Sequence, residues 1–513
     1  VESTRTPSAV SADVVVIGSG AGGAPLSARL ARAGLKVTVL EAGLRHPPSS
    51  VATDEVAQAG LFWMDERLSA GRDPVAFGRN NSGCGVGGST LHYTAYTPRA
   101  QPDDLRLHSE FGRGVDWPLD FGELERYYDE IEGFLGVSGP AEYPWGPPRR
   151  VPYPHPPLPL NGAAELMQRG CEALGLRTSA AANAALSRPQ MQEGYGVRHA
   201  CTHRGFCQAG CATGAKATMD ITYLALAEAH GAQLLDGSYV TGLRRSGSRL
   251  TGVEYVRGGK EHVLTAGTVV LSAGAIETPR LLLEQGLANR SGQVGRNFMA
   301  HTGIQIWGQF AEAVRPNRGI PGSLISEDMH RVDGLVGGYL IQSIGVMPVT
   351  YATQFVRGTG TWGHALHEHM RGYNHVAGIN ILGECLPSEQ NFLELSTEQD
   401  GRGRPKPRIH FSAGDNERRM TEHAEALMRR IWAAAGAQKV WAFPRAAHTI
   451  GTARMGHDPA ASVVDPWGRA HDIRNLWISD NSTFPSALAA NPALTIMALS
   501  LRTADHMLEQ GAV

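Results

Sequence analysis

Residues Asp13 to Gly43 read DVVVIGSGAGGAPLSARLARAGLKVTVLEAG. The four apolar residues Val14 to Ile17 have the continuous hydrophobicity of a buried parallel strand, and they run into Gly18, Gly20 and Gly23 at the spacing G-x-G-x-x-G. Glycines at these places suit a tight turn whose backbone approaches a pyrophosphate, with the Ala/Leu-rich segment after them forming a helix that directs its N-terminus at that charge. A second short strand, Lys36 to Leu40, ends at Glu41, 23 residues after Gly18, where an acid that bonds an adenosine ribose belongs. Strand, turn, helix, strand and acid in this order predict a dinucleotide-binding unit. The pattern does not choose between FAD and NAD, but the acid disfavours a ribose carrying a phosphate.

Outward from this stretch, 513 residues exceed what one hydrophobic core organises, so two or more domains are expected. Lys and Arg total 47 against 49 Asp and Glu, a balance that does not point to nucleic acid or an anionic membrane. No apolar run approaches the length of a spanning helix, so no integral membrane segment is expected. No basic stretch followed by an apolar one opens the chain at Val1, and the expected location is therefore cytoplasmic. Six cysteines do not make a disulfide scaffold at this length.

Residues 1–12 are mostly small or polar and are expected to fray. The segment 44–79 reads as a connection that wraps, and 140–160, crowded with proline, as a rigid surface crossing. Between them, Asn80 to Arg99 carries Gly83, Gly85, Gly87 and Gly88, so that backbone lines whatever lies against it, whether a phosphate or a flavin ring. Helices are predicted over Glu123 to Phe134, Gly162 to Leu174 and Thr222 to His230. Strand-like pieces follow at Tyr239 to Leu243 and Gly252 to Tyr255. A further short strand at Val269 delivers Gly274 to a helix start and belongs to the nucleotide-binding sheet.

From His301 to Val440 no further strand–glycine–helix unit appears. Runs such as Gly337 to Ile344 and Val376 to Leu382 alternate with loops, and Glu417 to Ala435 is an amphipathic helix, the texture of a second α+β domain on an antiparallel sheet. The glycine-rich style returns with Ala447-His448-Thr-Ile-Gly451-Thr-Ala-Arg-Met-Gly456. A strand from Leu476 to Ser479 follows, ending at Asp480, then a turn-rich stretch to Pro492 and a helix from Ala493 to Leu508. The fold expected is thus an α/β Rossmann-like domain made of 11–300 and 441–513, with the substrate domain, 301–440, inserted.

Cys201, Cys207 and Cys211 fall within eleven residues. Three readings stand: an iron–sulfur centre, one disulfide with a spare thiol, or small residues packed in a Gly-rich loop.

Together the Gly18 fingerprint, the Gly87-Gly88-Ser-Thr loop and the closing HTIGTARMG and NPALT segments resemble the glucose–methanol–choline oxidoreductase family, flavoenzymes that oxidise alcohols. The resemblance implies FAD, with Gly18, Gly20, Gly23 and Glu41 on its ADP half, Gly87 and Gly88 near the flavin, and Asp480 on the pyrophosphate and ribityl side. It puts the active-site histidine at His448 and its partner at Asn491, with the helix entered through Pro492 under the pyrimidine end of the flavin. It also sets His92 at the offset of the residue that carries a covalent flavin in some members. In relatives with a three-iron cluster two adjacent cysteines open the thiol loop, whereas Thr202 follows Cys201 here, so no metal ligands are expected.

The implied activity is oxidation of a CH–OH group of an alcohol, polyol or sugar, with oxygen or an external carrier as electron acceptor. Alternatives are an NAD-dependent dehydrogenase and a noncatalytic flavin binder. A mere binder has no need of a base at His448 and an amide at Asn491. With a pKa near neutrality, His448 is expected to take the hydroxyl proton.

Overall fold

In this computed structural model residues 11–52, 54–63, 67–75 and 82–511 are described. Its first layer is a seven-stranded sheet. Ser11–Ile17 lies at the centre, parallel on one side to Val37–Leu40 and on the other to Lys260–Leu271. Val14, Val15 and Val16 are fully buried, because helices cover both faces of a parallel sheet. Gln233–Leu235 extends the sheet beyond Val37–Leu40. The piece read as a short strand at Val269 is the end of a 12-residue strand. Its first half pairs antiparallel with Arg249–Arg257, and its last three residues pair parallel with Leu476–Ile478. The strand is longer than expected because its first half pairs along a mostly exposed hairpin and lacks a continuous apolar run.

The first helix, Gly23–Arg32, and the last, Ala493–Glu509, pack together over this sheet. Ser500 joins them: its hydroxyl accepts from the Leu26 amide at 3.0 Å and donates to the Gly22 carbonyl at 2.6 Å. These two backbone groups belong to the first turn of the helix, so the hydroxyl braces its start.

The second layer is a six-stranded antiparallel sheet in the order Lys439–Ile450, Met299–Gln309, Val376–Gly383, Tyr339–Ile344, Leu324–Ser326 and Ser179–Ala180. Alternation along each strand divides its two faces. Ile304, Ile306, Ile379, Ile381 and Ile341 pack beneath the helices Gly162–Ala173 and Asp415–Ala434. The opposite face turns toward the parallel sheet. Positions 300 and 441 fall inside strands of this sheet, and the helix Gly162–Ala173 packs on it from far earlier in the chain.

Two expectations are corrected. The segment 44–79 does more than wrap, since Leu68–Ala70 adds a strand parallel to Pro405–His410 in a small third sheet. Of the residues expected to fray, 1–10 lie outside the described residues, while Ser11 and Ala12 begin the central strand and pair with Thr265 and Ala266. Asn80 and Asn81, from the glycine-rich loop, also lie outside them.

Candidate active site

A cavity of about 1140 Å³ runs from the carboxyl ends of the parallel strands to the polar face of the antiparallel sheet. Ligands of open α/β sheets bind at that end of the strands. Gly18, at φ +103°, makes the turn out of the first strand, and a Cβ there would sit 2.3 Å from the Ser272 carbonyl oxygen. Gly88, at φ +56°, brings its backbone against Gly20, where a Cβ would lie 2.8 Å from the Gly20 Cα. The two glycine loops therefore meet with no room for side chains between them. Ser19 locks them together: its hydroxyl donates to Glu41 at 2.7 Å and accepts from the Gly87 amide at 3.0 Å.

Glu41 accepts three hydrogen bonds, from the Ser19 amide and hydroxyl and the Gly43 amide. A carboxylate has about four acceptor positions, so capacity remains for a ribose hydroxyl. Burial raises its pKa against the lowering effect of these bonds. Asp480 accepts from the Gly274 amide at 2.8 Å and the Thr278 hydroxyl at 2.6 Å, fixing the start of the helix Gly274–Gln285 at the cavity wall. Buried polar atoms on the wall without a partner among the described residues include His92 Nε2, Ser272 Oγ and Asn491 Oδ1. Glycine cradle, ribose acid and unpartnered donors and acceptors along one channel fit an extended dinucleotide such as FAD.

At the other end of the channel two histidines meet. His301 Nε2 lies 2.8 Å from the Leu488 carbonyl oxygen and 3.1 Å from that of Ala487. Carbonyls only accept, so this nitrogen carries the proton. Burial holds the His301 pKa down at about 4, so the ring is neutral and its Nδ1 is a bare acceptor. His448 Nδ1 lies 2.9 Å from it and must be the donor. The consequence is a defined tautomer for His448, with an unprotonated Nε2. Burial first, then His301, Arg445 and His92, holds the His448 pKa well below the usual histidine value. The expected pKa near neutrality is thus not what the ligand-free chain has, although a neutral imidazole is the form that accepts a proton.

His448 reaches this position through a register shift. In the pairing of Lys439–Ile450 with Met299–Gln309, Ala300 faces Thr449 and His301 faces Ala447, leaving His448 as the extra residue at φ +55°. Such a bulge re-aims a side chain.

The carbonyls that hold His301 are themselves held. Glu384 Oε1 accepts from the amides of Cys385, Ala487 and Leu488 at 3.0, 2.8 and 3.1 Å, and Asp104 accepts from the Ala489 amide at 3.3 Å. Burial, with Asp104 nearby, pushes the Glu384 pKa up against the lowering effect of these three amides. This buried carboxyl sets the course of the chain into Asn491 and Pro492.

Of the residues expected at the site, Gly18, Gly20, Glu41, Gly88, His92, His448, Asp480, Asn491 and Pro492 line the one cavity. Gly23 and Gly87 lie behind the wall. A Cβ on Gly23 would be 2.1 Å from the Gly18 carbonyl oxygen, so its part is close packing of helix against strand. His301, Glu384 and Arg445 were not singled out from the sequence. His301 and Glu384 are 147 and 103 residues from the His448 and Ala487 they bond, and Arg445 makes no local pattern that marks it.

His92 is half-buried with its Nε2 out of contact with solvent, and its pKa is pushed down to about 3 by burial and then by Lys216. The Lys216 ammonium is buried too, donating to the carbonyls of Leu91, Tyr93 and Cys207. It ties the thiol loop to the back of the His92 turn. Cys201, Cys207 and Cys211 stand as free thiols. Among the described residues no helix is long and apolar enough to cross a membrane.

This fold and site define a flavin-dependent oxidoreductase. Two family models, both described as GMC oxidoreductase, match residues 72–303 and 387–500. The chain is 32% identical to the 2-methyl-1,2-propanediol dehydrogenase of Mycolicibacterium austroafricanum, over 98% of this chain and 96% of that one. It is 31% identical to the fructose dehydrogenase large subunit of Gluconobacter japonicus, over 97% and 98%. Among solved structures, pyridoxine 4-oxidase from Mesorbium loti superposes with a TM-score of 0.65 at 18% identity, covering 97% of this chain and 99% of that one, a likeness of fold. The chain belongs to the GMC oxidoreductase family. It is an FAD-dependent enzyme of the class that oxidises CH–OH-bearing substrates.

Proposed function

We propose that the protein oxidises a CH–OH group of an alcohol, polyol or sugar, with His448 as the base and Asn491 as the group that steadies the developing alkoxide. The observation that carries this reading is the hydrogen-bond chain from the Ala487 and Leu488 carbonyls through His301 to His448, which leaves His448 Nε2 unprotonated at the cavity. FAD, when bound, supplies the hydride acceptor at flavin N5. His448 Nε2 takes the hydroxyl proton as the hydride leaves, and the positive charge on the imidazole is shared with His301 through the Nδ1 contact. Asn491 carries no charge and cannot be the base. Its buried amide, with Oδ1 unpartnered, is free to turn its NH₂ toward the substrate oxygen, where the bond strengthens as charge develops. Relatives named for a diol and for fructose support a polyhydroxy substrate.

His92 lines the cavity with its Nε2 unpartnered, leaving a ring nitrogen available for a histidyl link to the flavin. Acid precipitation decides this point. Colour kept in the pellet marks a bond, and colour released to the supernatant shows that His92 only packs against the ring.

The test of the mechanism is anaerobic stopped-flow reduction of the bound flavin by an alcohol panel, followed by admission of oxygen to identify the acceptor. His448→Ala should slow reduction by roughly 10²-fold or more with flavin content unchanged, and Asn491→Ala should lower it as well. Near-native reduction by both variants at saturating substrate would exclude this pair as the catalytic apparatus.

A further inference from the structure

The face of the antiparallel sheet that closes the cavity carries a polar row that hydride transfer does not use. Gln305 stands opposite Asn380 on the next strand, and Asn380 stands opposite Gln342 on the strand after it. Directly paired residues share a face, so three amides form one line across three strands. Arg445, two positions along Lys439–Ile450 from the partner of Gln305, shares that face. Gln305, Gln342 and Arg445 all line the cavity, together with Tyr96 and His448.

Two features single this row out. Other arginines withdrawn from solvent have partners: Arg280 meets Asp400 at 2.7 Å, Arg99 meets Asp129 at 2.6 Å and Arg67 meets Glu277 at 3.0 Å, while Arg198 donates to the carbonyls of Leu135, Gly214 and Ala215. Arg445 has no hydrogen bond or ion pair among the described residues, and burial alone brings its pKa down to about 10. The amides beside it are likewise open. Gln342 is buried with Oε1 unpartnered, and Gln305 is fixed by the Trp307 indole, which donates to its Oε1 at 3.1 Å and so leaves the Gln305 NH₂ to donate elsewhere. A half-buried guanidinium without a counter-charge, in the cavity wall beside amides that have open positions, is a ready partner for an anionic ligand.

We infer that Arg445, with Gln305 and Gln342, forms a subsite for a carboxylate on the substrate, so that the enzyme oxidises a hydroxy acid in preference to the matching neutral polyol. This rests on the alcohol-oxidising reading above and deepens it. A guanidinium holds a carboxylate by two parallel charge-assisted bonds, which fixes the direction of the carbon chain and hence which CH–OH group reaches His448. The same carboxylate also offsets the Arg445 charge that helps hold the His448 pKa down, so the acid substrate makes its own base stronger.

The test uses the FAD-loaded enzyme and matched pairs, each an aldonate and the alditol in which the carboxylate is a hydroxymethyl group, at constant ionic strength. Second-order rate constants for anaerobic flavin reduction should favour the aldonate by about 10²-fold in the native enzyme. In Arg445→Gln that ratio should fall to within a few-fold of one, with Arg445→Lys keeping part of it. Flavin content and melting temperature verify that the variants fold. The inference is overturned if the native enzyme shows no preference for the acid, or if the preference survives in Arg445→Gln. Binding is read in parallel from the perturbation of flavin absorbance. If no pair member reduces the flavin, yet aldonates bind more tightly than alditols in an Arg445-dependent way, the subsite stands and the hydride-transfer reading falls. Reduction by alditols without any Arg445-dependent advantage for acids leaves that reading intact and removes the subsite.

Discussion

A histidine serves as a base only when its free nitrogen is the one facing the substrate, and at His448 that choice is made by its neighbour. His301 is pinned by two backbone carbonyls, so the tautomer of the pair is decided before any substrate arrives. Replacing His301 with Ala removes the acceptor for His448 Nδ1 and lets the proton move to Nε2. Flavin reduction should slow by about 10²-fold with little change in apparent substrate affinity, since His301 does not touch the substrate. The native pH profile carries a second expectation. With the His448 pKa held below its ordinary value, the neutral base persists into acid, so the acid limb of the reduction rate should lie below pH 6.5, the usual histidine range. A limb at or above that pH contradicts the burial argument. That His448 and Asn491 line one cavity was legible in the sequence because each sits in a short motif, 448–456 and 491–495. His301 was not, since its partner lies 147 residues away and the strand around it reads as an ordinary one.

At the scale of elements, strands and helices with a strong period were read correctly, and what escaped was where loops and single strands would pair. The opening strand–glycine–helix unit declared itself because a buried parallel strand must be apolar on both faces. Leu68–Ala70 did not, because three half-exposed residues carry no period, and only their partner Pro405–His410 makes them a strand. The meeting of the two glycine loops gives a sharp expectation. Gly88→Ala puts a methyl group 2.8 Å from the Gly20 Cα on a left-handed backbone, and the protein should purify with FAD depleted, as read from the ratio of flavin to protein absorbance. Glu384 gives another. Its role is that of an acceptor at Oε1, and glutamine keeps an acceptor in the same place. Glu384→Gln should keep flavin reduction within about tenfold of native, whereas Glu384→Ala abandons three buried amides at about 1–3 kcal/mol each and should lose both stability and activity.

Over the whole molecule, the α/β and antiparallel parts are joined by a seam of charge. His330 bonds Asp103 at 2.6 Å, Arg331 bonds the same carboxylate at 2.7 Å, and Gln101 bonds Glu327 at 2.6 Å. Burial opposes the charge on His330, but Asp104, then Asp103 and Glu327, outweigh it and raise its pKa to about 9. A raised pKa stabilises the folded state fully below the unfolded value of 6.5, and that contribution is lost as pH climbs toward 9. The loss is on the order of 3 kcal/mol across that window. The melting temperature should therefore fall between those pH values, and His330→Gln should flatten the slope. A seam of this kind is invisible in the sequence, where Asp103 and His330 are two ordinary polar residues 227 positions apart.

The pairing of Leu476–Ile478 with the end of Lys260–Leu271 bears on how the enzyme comes into being. Ser11–Ile17 leaves the ribosome early, but the sheet it centres gains its last strand only when residue 478 has been made, roughly 20–90 s later at common rates of synthesis. Until residues 476–500 follow, the first helix lacks the Ser500 hydroxyl that braces its start, and the cavity lacks Asp480, Asn491 and Pro492. A complete flavin site therefore waits on the synthesis of residues 476–500, more than 450 positions after the glycine turn that opens it.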